Sequence, residues 1–101
     1  MRIISKRTLK DFYTKPNHKD AKEPLSAWYS DTMKATWNSP NDIKSVYRNA
    51  SFVANNRVVF NIGGNKYRLV AAINYDFGIV FIKFVGTHRQ YDRIDVATVG
   101  N

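Results

Sequence analysis

The sequence predicts an α+β domain, and three observations predict it. Apolar residues recur every three or four positions through the first half of the chain, as in amphipathic helices. The second half is rich in β-branched and aromatic residues, and short segments containing glycine divide it into strands. A length of 101 residues suits one compact domain, so we expect a single domain over residues 1–101.

The helical half begins with a short apolar segment. Residues 2–4, RII, are expected to form a strand, after which Ser5 can cap a helix that runs to about Tyr13. A second helix is predicted from an apolar stripe, and Ser39 followed by Pro40 predicts that a helix restarts briefly after it. The stripe consists of Ala21, Leu25, Trp28, Thr32 and Ala35.

Three strands in sequence predict an antiparallel β-meander from Arg57 onward. The strands are RVVFNI, KYRLVAAINY and IVFIKFV, and they are separated by GGN and DFG. We expect a two-residue turn in GGN, which brings odd positions of the first strand opposite even positions of the second. One face of the sheet then collects apolar side chains, including Val80, Ile82 and Phe84 of the third strand, and packs under the helices.

The opposite face of the predicted meander is basic, and we expect it to be open to solvent. Arg57, Lys66, Arg68 and Lys83 lie on it, with Arg68 and Lys83 as neighbours. Single-stranded RNA is bound by cations along its phosphates and by aromatic rings against its bases, so this face favours RNA binding. A merely solvated basic face is the alternative, although an unpartnered arginine in a central strand is costly.

The composition limits the class of partner. Sixteen basic and eight acidic residues give a net charge of +8, which favours nucleic acid first and an anionic membrane second. The chain has no cysteine, and His18 and His88 have no metal-binding spacing, so neither a metal nor a cofactor is predicted. No segment approaches the roughly 20 apolar residues that span a bilayer, so we expect a cytoplasmic protein without a membrane partner.

The segment GTHRQYDRID, which follows the third strand, contains groups that can transfer protons. A histidine such as His88 can accept and donate protons, and one helical turn after the glycine would bring Tyr91 to the same side. RNA can be cut without a metal ion when a base activates the ribose 2′-hydroxyl, cations stabilise the phosphorane and an acid protonates the leaving 5′-oxygen. Arg68 and Lys83 are candidates for charge stabilisation, and His88 or Tyr91 for proton transfer. An ordinary surface histidine is the alternative.

Two segments, VVFNIGGNKYRLVAAINY and VFIKFVGTHRQYDRID, carry a family resemblance. Together with the order of strand, helices, meander and short C-terminal helical segment, they resemble the HigB family of bacterial type II toxins, which belongs to the RelE-like mRNA interferases. The resemblance implies a RelE-like fold and a ribosome-dependent endoribonuclease that cuts translated mRNA in the bacterial cytoplasm and inhibits growth. It also implies neutralisation by a HigA-type antitoxin, a helix-turn-helix protein, with operator DNA bound only through the complex.

The resemblance also implies roles for single residues. By position, Arg68 matches the strand arginine that RelE-like toxins use at the scissile phosphate, and His88 and Tyr91 match the catalytic groups near the carboxyl end. Two lysine positions of RelE correspond here to Val59 and Asn61, so His88 replaces lysine as the candidate base. The predicted catalytic residues are Arg68, Lys83, His88 and Tyr91, and the predicted RNA-binding residues are Arg57, Asn61, Lys66, Arg89 and Arg93.

Two other functions stay open on the sequence. The same basic face suits a noncatalytic RNA- or ribosome-binding module. A DNA-binding regulator is disfavoured, because no helix-turn-helix is recognisable in the sequence.

Overall fold

The computed structural model describes residues 1–100 and confirms the predicted α+β class. The strands are β1 (Arg2–Ile4), β2 (Ser51–Val53), β3 (Arg57–Ile62), β4 (Tyr67–Asn74) and β5 (Ile79–Thr87). The α-helices are α1 (Lys6–Tyr13), α2 (Lys22–Lys34), α3 (Pro40–Val46) and α4 (His88–Tyr91), and a 3₁₀ helix covers Pro16–Ala21. The predicted first strand, helices, meander and C-terminal helical turn are therefore all confirmed, whereas the 3₁₀ helix and β2 were not predicted.

The long helices form where apolar residues recur with helical spacing. Ser5 adopts an extended backbone conformation at the N-cap of α1, and Pro40 lies in the first turn of α3, where its missing N–H costs nothing. In α2 the predicted stripe is the buried side, since Leu25, Trp28 and Thr32 are buried. These helices pack against one side of the sheet, which we call the helical face.

The meander is the centre of a wider, mixed sheet with the strand order β1-β5-β4-β3-β2. β2 pairs antiparallel with β3, and β1 pairs parallel with β5, Arg2 lying opposite Ile79. The parallel pairing joins residues that are far apart in sequence, so no local pattern predicts it. Both added strands have only three residues.

The turn between β3 and β4 is longer than predicted. It comprises the four residues 63–66, so the prediction of a two-residue turn is wrong. The odd–even pairing is nevertheless confirmed, because two additional turn residues leave the parity unchanged. Phe60 lies opposite Leu69 on the helical face, and Asn61 lies opposite Arg68 on the other side, which we call the second face.

A β-bulge at Lys83 changes the faces of β5. Ile82 and Phe84 oppose consecutive residues of β4, which leaves Lys83 between them as the extra residue. Phe84 therefore lies on the second face, while Val85 packs against the core. The prediction that Phe84 extends the helical face is wrong, because strict alternation cannot anticipate an extra residue.

The main core lies between the helices and the helical face. Trp28 of α2 packs edge-on against Phe60 of β3, with their ring centroids 5.4 Å apart. The buried strand residues of this core are Val58, Phe60, Ile62, Tyr67, Leu69, Ala71, Ile73 and Val80. Burial on this scale fixes the register of the strands, since a one-residue slip would turn every one of these side chains outward.

Residues 95–100, which we call the C-terminal segment, cross the second face. Arg57 of β3 is only 2% exposed, and its Nη1 donates hydrogen bonds to the backbone carbonyls of Val96, at 3.0 Å, and Val99. Gly100 reaches the backbone of Lys83, because a Cβ atom at Gly100 would lie 2.7 Å from the Lys83 carbonyl oxygen. The C-terminal segment is thus bound to both β3 and β5.

The C-terminal segment makes the second face unlike the open surface that the sequence predicted. Val59 and Val70 lie opposite each other on this face, and they are 3% and 0% exposed. Neither belongs to the core under the helices, so a second, smaller apolar layer lies beneath the segment. The prediction of an open face is wrong for this part, whereas Asn61 and Arg68, at the end of the face beside α4, are half-buried.

Candidate nucleic-acid interface

The end of the second face beside α4 contains one row of paired residues. Asn61 on β3, Arg68 on β4 and Gly86 on β5 lie opposite one another. Since neighbouring strands are about 4.8 Å apart, the row is roughly 10 Å across. A Cβ atom at Gly86 would lie 2.5 Å from Cζ of Phe84 and 2.8 Å from Oε1 of Gln90. The glycine therefore allows α4 and an aromatic ring to approach the sheet next to Arg68.

Arg68 is half-buried and held in one orientation from several sides. Its Nη1 donates to the backbone carbonyls of Asn65, at 3.0 Å, and Tyr67, at 3.2 Å. Its guanidinium carbon lies 6.0 Å from the centroid of the Tyr91 ring. The remaining guanidinium nitrogens make no hydrogen bond to any of residues 1–100. A positioned guanidinium with free donors is suited to bind an oxygen anion such as a phosphate.

A capping box fixes the start of α4. Thr87 accepts a hydrogen bond through Oγ1 from the backbone N–H of Gln90, and the Gln90 side chain accepts one from the backbone N–H of Thr87. The helix has a single turn, so His88 and Tyr91 lie three residues apart on neighbouring sites of its surface. The predicted helical turn after the glycine is confirmed.

His88 has an acidic partner that the sequence reading missed. Its Nδ1 lies 3.2 Å from Oδ2 of Asp92, and the two side chains are 53% and 59% exposed. A carboxylate at Nδ1 favours the tautomer that carries a proton there, which leaves Nε2 able to accept one. The spacing of four residues between histidine and aspartate on a predicted helical turn was the signal that could have revealed the pair.

Lys83 is not beside Arg68. Arg68 pairs with Gly86, and Lys83 lies three residues further back along β5, a distance of roughly 10 Å at the rise of a β-strand. Its Nζ lies 5.7 Å from the centroid of the Phe81 ring, which directs the ammonium group away from the row. The prediction that Arg68 and Lys83 are neighbours is therefore wrong, because it assumed a third strand without a bulge.

The predicted RNA-binding residues are distributed over three environments. Asn61 lies in the row, half-buried, and Arg89 and Arg93 are exposed on and just after α4. Arg57 is on the second face as predicted, but it is buried beneath the C-terminal segment rather than exposed. Lys66 is exposed, although it lies in the turn after β3 rather than on a strand.

Lys66 is paired with an acidic group of the 3₁₀ helix. Its ammonium group donates to the carboxylate of Asp20, which also accepts a hydrogen bond from the hydroxyl of the buried Tyr67. The hydrogen bond from Lys66, with a second from Tyr67, lowers the pKa of Asp20, and the same contact with Asp20 raises the pKa of Lys66. The pair ties the β3–β4 turn to the helical layer next to the row.

Neither a metal centre nor a membrane-crossing helix occurs among the described residues. No three of the His, Asp and Glu side chains of residues 1–100 come together in a way that could hold a metal ion. None of the helices in this part of the chain is long and apolar enough to cross a bilayer.

The short first strand, the helices and the mixed, mostly antiparallel sheet form a RelE-like fold. The model of the HigB toxin family, described as the RelE-like toxic component of a toxin–antitoxin system, matches residues 21–94. The "mRNA interferase toxin HigB" of Escherichia coli (strain K12) is 32% identical over 96 residues, which cover 91% of this chain and 88% of that protein. The "mRNA interferase HigB" of Escherichia coli O6:H1 is 29% identical over 97 residues, which cover 93% of this chain and 91% of that protein. The chain therefore belongs to the HigB family.

Proposed function

We propose that this protein is an mRNA interferase, a toxin that cleaves translated mRNA and thereby inhibits translation and growth. The curated relatives carry this activity in their names, and the chain matches them over most of its length. The observation that carries the proposal is the half-buried Arg68, which is oriented by two carbonyls and the Tyr91 ring and still has unused donors. An arginine held in this way is expected to bind the scissile phosphate.

The reaction follows from the groups around this arginine. Nε2 of His88 takes the proton from a ribose 2′-hydroxyl, and the 2′-oxygen attacks the adjacent phosphorus. The guanidinium of Arg68 stabilises the negative charge of the phosphorane. The bond to the 5′-oxygen then breaks while the hydroxyl of Tyr91 protonates that oxygen, and a 2′,3′-cyclic phosphate remains on the upstream fragment. The RNA supplies its own nucleophile, so this sequence of steps uses protein groups alone and no metal ion.

The other predicted RNA-binding residues would bind and attract the substrate. Asn61 lies opposite Arg68, and Arg89 and Arg93 are exposed on and just after α4, so we expect all three to contact the RNA backbone near the cut. Lys66 contributes from the adjacent turn, and Lys83 adds to the positive field from about 10 Å away. Arg57 would reach RNA only after the C-terminal segment had left the face.

We expect the ribosome to position the mRNA, because the candidate site alone is too small to do so. The row is only roughly 10 Å across, so it can hold few nucleotides. A ribosome that presents mRNA in one conformation offsets this, because a positioned substrate needs little further binding energy. The net charge of +8 suits ribosomal RNA as well, and it predicts an association that weakens strongly with salt.

An antitoxin partner follows from the same family membership. The family is described as the toxic component of a toxin–antitoxin system, so we propose a HigA-type protein that neutralises this chain in the bacterial cytoplasm. Its acidic residues would complement the basic toxin. Operator DNA is bound by the antitoxin and reaches the toxin only through the complex.

Mapping of transcript 5′ ends after induction of the protein tests the activity. We expect growth arrest with discrete new ends inside translated codons, and we expect neither from Arg68→Ala at the same level of folded protein. In a purified system the cuts should appear only when the mRNA is on ribosomes. Growth arrest with intact transcripts would contradict the proposal and would favour a noncatalytic ribosome-binding protein instead.

A further inference from the structure

A pocket beside the candidate site has no role in the reaction described above. It has a volume of about 270 Å³, opens to solvent, and lies where the chain leaves α3 and passes the turn after β3. Its lining includes Tyr47, Arg48, Asn49, Asn61 and Gly64. The volume is near the lower end of ligand pockets, roughly 300 Å³, so it suits one flat group rather than a length of strand.

The pocket adjoins the residue that is proposed to bind the scissile phosphate. Asn61 connects the pocket with the candidate site, since it lines the pocket and lies directly opposite Arg68 on the neighbouring strand. Because paired strands are about 4.8 Å apart, the pocket begins one strand spacing from Arg68. A nucleotide next to the cut would reach it without crossing any other part of the protein.

The polar side chains of the pocket have no partners within the described chain. Arg48 and Asn49 are exposed and Asn61 is half-buried, and none of the three side chains makes a hydrogen bond or an ion pair with any of residues 1–100. A carboxamide carries both a donor and an acceptor, which match the edge of an unpaired base. A guanidinium with five free donors matches a phosphate.

We propose that this pocket is a subsite for the nucleotide adjacent to the scissile phosphate, and this rests on the proposed function. Asn49 and Asn61 read the edge of the unpaired base, and Arg48 holds the neighbouring phosphate. Sequence-specific recognition of RNA uses unpaired bases whose edges are accessible, and a ribosome-bound codon offers bases of that kind. The subsite would give the nuclease a base preference at one position beside the cut.

Loss of the base contact and loss of the phosphate contact are expected to cause different defects, so substitutions can distinguish base recognition from phosphate binding. Loss of one base contact costs about 1.4 kcal/mol of discrimination, so Asn49→Ala is expected to lower the base preference beside the cut about tenfold. Loss of a phosphate contact weakens binding equally for all sequences, so Arg48→Ala is expected to slow all cuts alike and leave the preference intact. Both side chains are exposed, and we expect neither change to alter the unfolding temperature.

Cut sites and rates are measured by 5′-end mapping on ribosomes programmed with a library of codons. Asn41→Ala and Arg7→Ala, which change exposed residues of α3 and α1, are the matched controls and should behave as the wild-type protein. If the wild-type protein cuts and Asn49→Ala keeps its full base preference, the subsite is overturned while the nuclease stands.

A second measurement does not depend on cleavage. Single-stranded RNA trinucleotides, with a 2′-O-methyl group at every position to prevent cutting, are titrated into the ¹⁵N-labelled protein. The side-chain amide signals of Asn49 and Asn61 are expected to shift and those of Asn41 to stay. A wild-type protein that shows these shifts but cuts no mRNA would contradict the proposed function and leave the subsite supported. The absence of any shift would overturn the subsite.

Discussion

The two ends of the second face contain the same residue type in opposite situations. At one end Arg57 is 2% exposed, and its guanidinium is hydrogen-bonded to carbonyls of the C-terminal segment. At the other end Arg68 is half-buried against Tyr91, with donors that no described residue uses. Two arginines on neighbouring strands of one face therefore have different roles. The first fastens the chain to itself, and the second is available to a ligand.

The difference comes from what lies over each arginine. The C-terminal segment contacts Arg57 of β3 and Lys83 of β5, and Val59 and Val70 on the same face are buried, so this part of the face forms a small core. The row at the other end meets α4 instead, and α4 brings polar and aromatic groups to its border. The basic residues of the second face are therefore not equally accessible. The C-terminal segment covers Arg57 and leaves Arg68 available to bind RNA.

After substitutions of Arg68 itself, substitutions of Tyr91 are expected to reduce the cleavage rate most. Tyr91→Phe keeps the ring beside Arg68 but removes the hydroxyl, and we expect cleavage to fall about 10²-fold if that hydroxyl is the proton donor. Tyr91→Ala removes the ring as well and should fall further. Single-turnover cleavage of ribosome-bound mRNA measures both. Full activity of the phenylalanine variant would assign the proton to another group.

The covered end is expected to respond in stability instead. Arg57→Met preserves length but removes a buried guanidinium that is hydrogen-bonded to two partly buried carbonyls, and we expect a loss of about 2–3 kcal/mol in the free energy of unfolding. Denaturation in urea measures the loss. Arg7→Met, which changes an exposed side chain of α1, is the matched control and should unfold almost as the wild-type protein. Equal stability of the two variants would mean that the C-terminal segment does not depend on Arg57.

The smallest effect is expected at the ion pair between Asp20 and Lys66. The fold lowers the pKa of Asp20, so the contribution of its carboxylate is present above the ordinary pKa of 3.8 and is lost as the pH falls through the folded value. The raised pKa of Lys66 acts in the opposite direction, and its contribution is lost as the pH rises above 10.5 through the folded value. Both side chains are largely exposed, so we expect Asp20→Asn to destabilise less than Arg57→Met.

A pH series of unfolding temperatures checks this smaller prediction. Below pH 4 the difference in unfolding temperature between the wild-type protein and Asp20→Asn should narrow, because the carboxyl group of Asp20 then loses its charge. Asp76→Asn, in the exposed loop after β4, is the control. A difference that stays constant down to pH 2 would show that the charge of Asp20 is not the cause.

Local sequence patterns predicted most of the helices and strands correctly. They did not predict contacts between residues that are far apart in the sequence. Helix α3 follows from Pro40, and the pairing of Phe60 with Leu69 follows from alternation, so both were predictable. The hydrogen bond from Arg57 to Val96 joins residues 39 positions apart in the sequence. The C-terminal segment also contains few apolar residues, and their side chains are small. Nothing within that segment indicates which face it covers.

The candidate site was predictable in its residue types and less so in its geometry. Arg68, His88 and Tyr91 could be proposed because they lie in a recognisable segment, and Arg68 and Tyr91 do meet. Lys83 was misplaced because a β-bulge leaves no clear mark in IVFIKFV. The pocket with Arg48 was missed because it forms between a loop and a strand that are adjacent only in the folded protein.

The most direct test compares Arg57→Met with Arg68→Met for cleavage of ribosome-bound mRNA at equal concentrations of folded protein. The open end is proposed to hold the chemistry, so the Arg68 variant should lose about 10²–10³-fold in the cleavage rate, as expected for one lost donor to a charged transition state. The Arg57 variant should remain within a few-fold of the wild-type rate per folded molecule. An Arg57 variant that is folded and as inactive as the Arg68 variant would contradict this account.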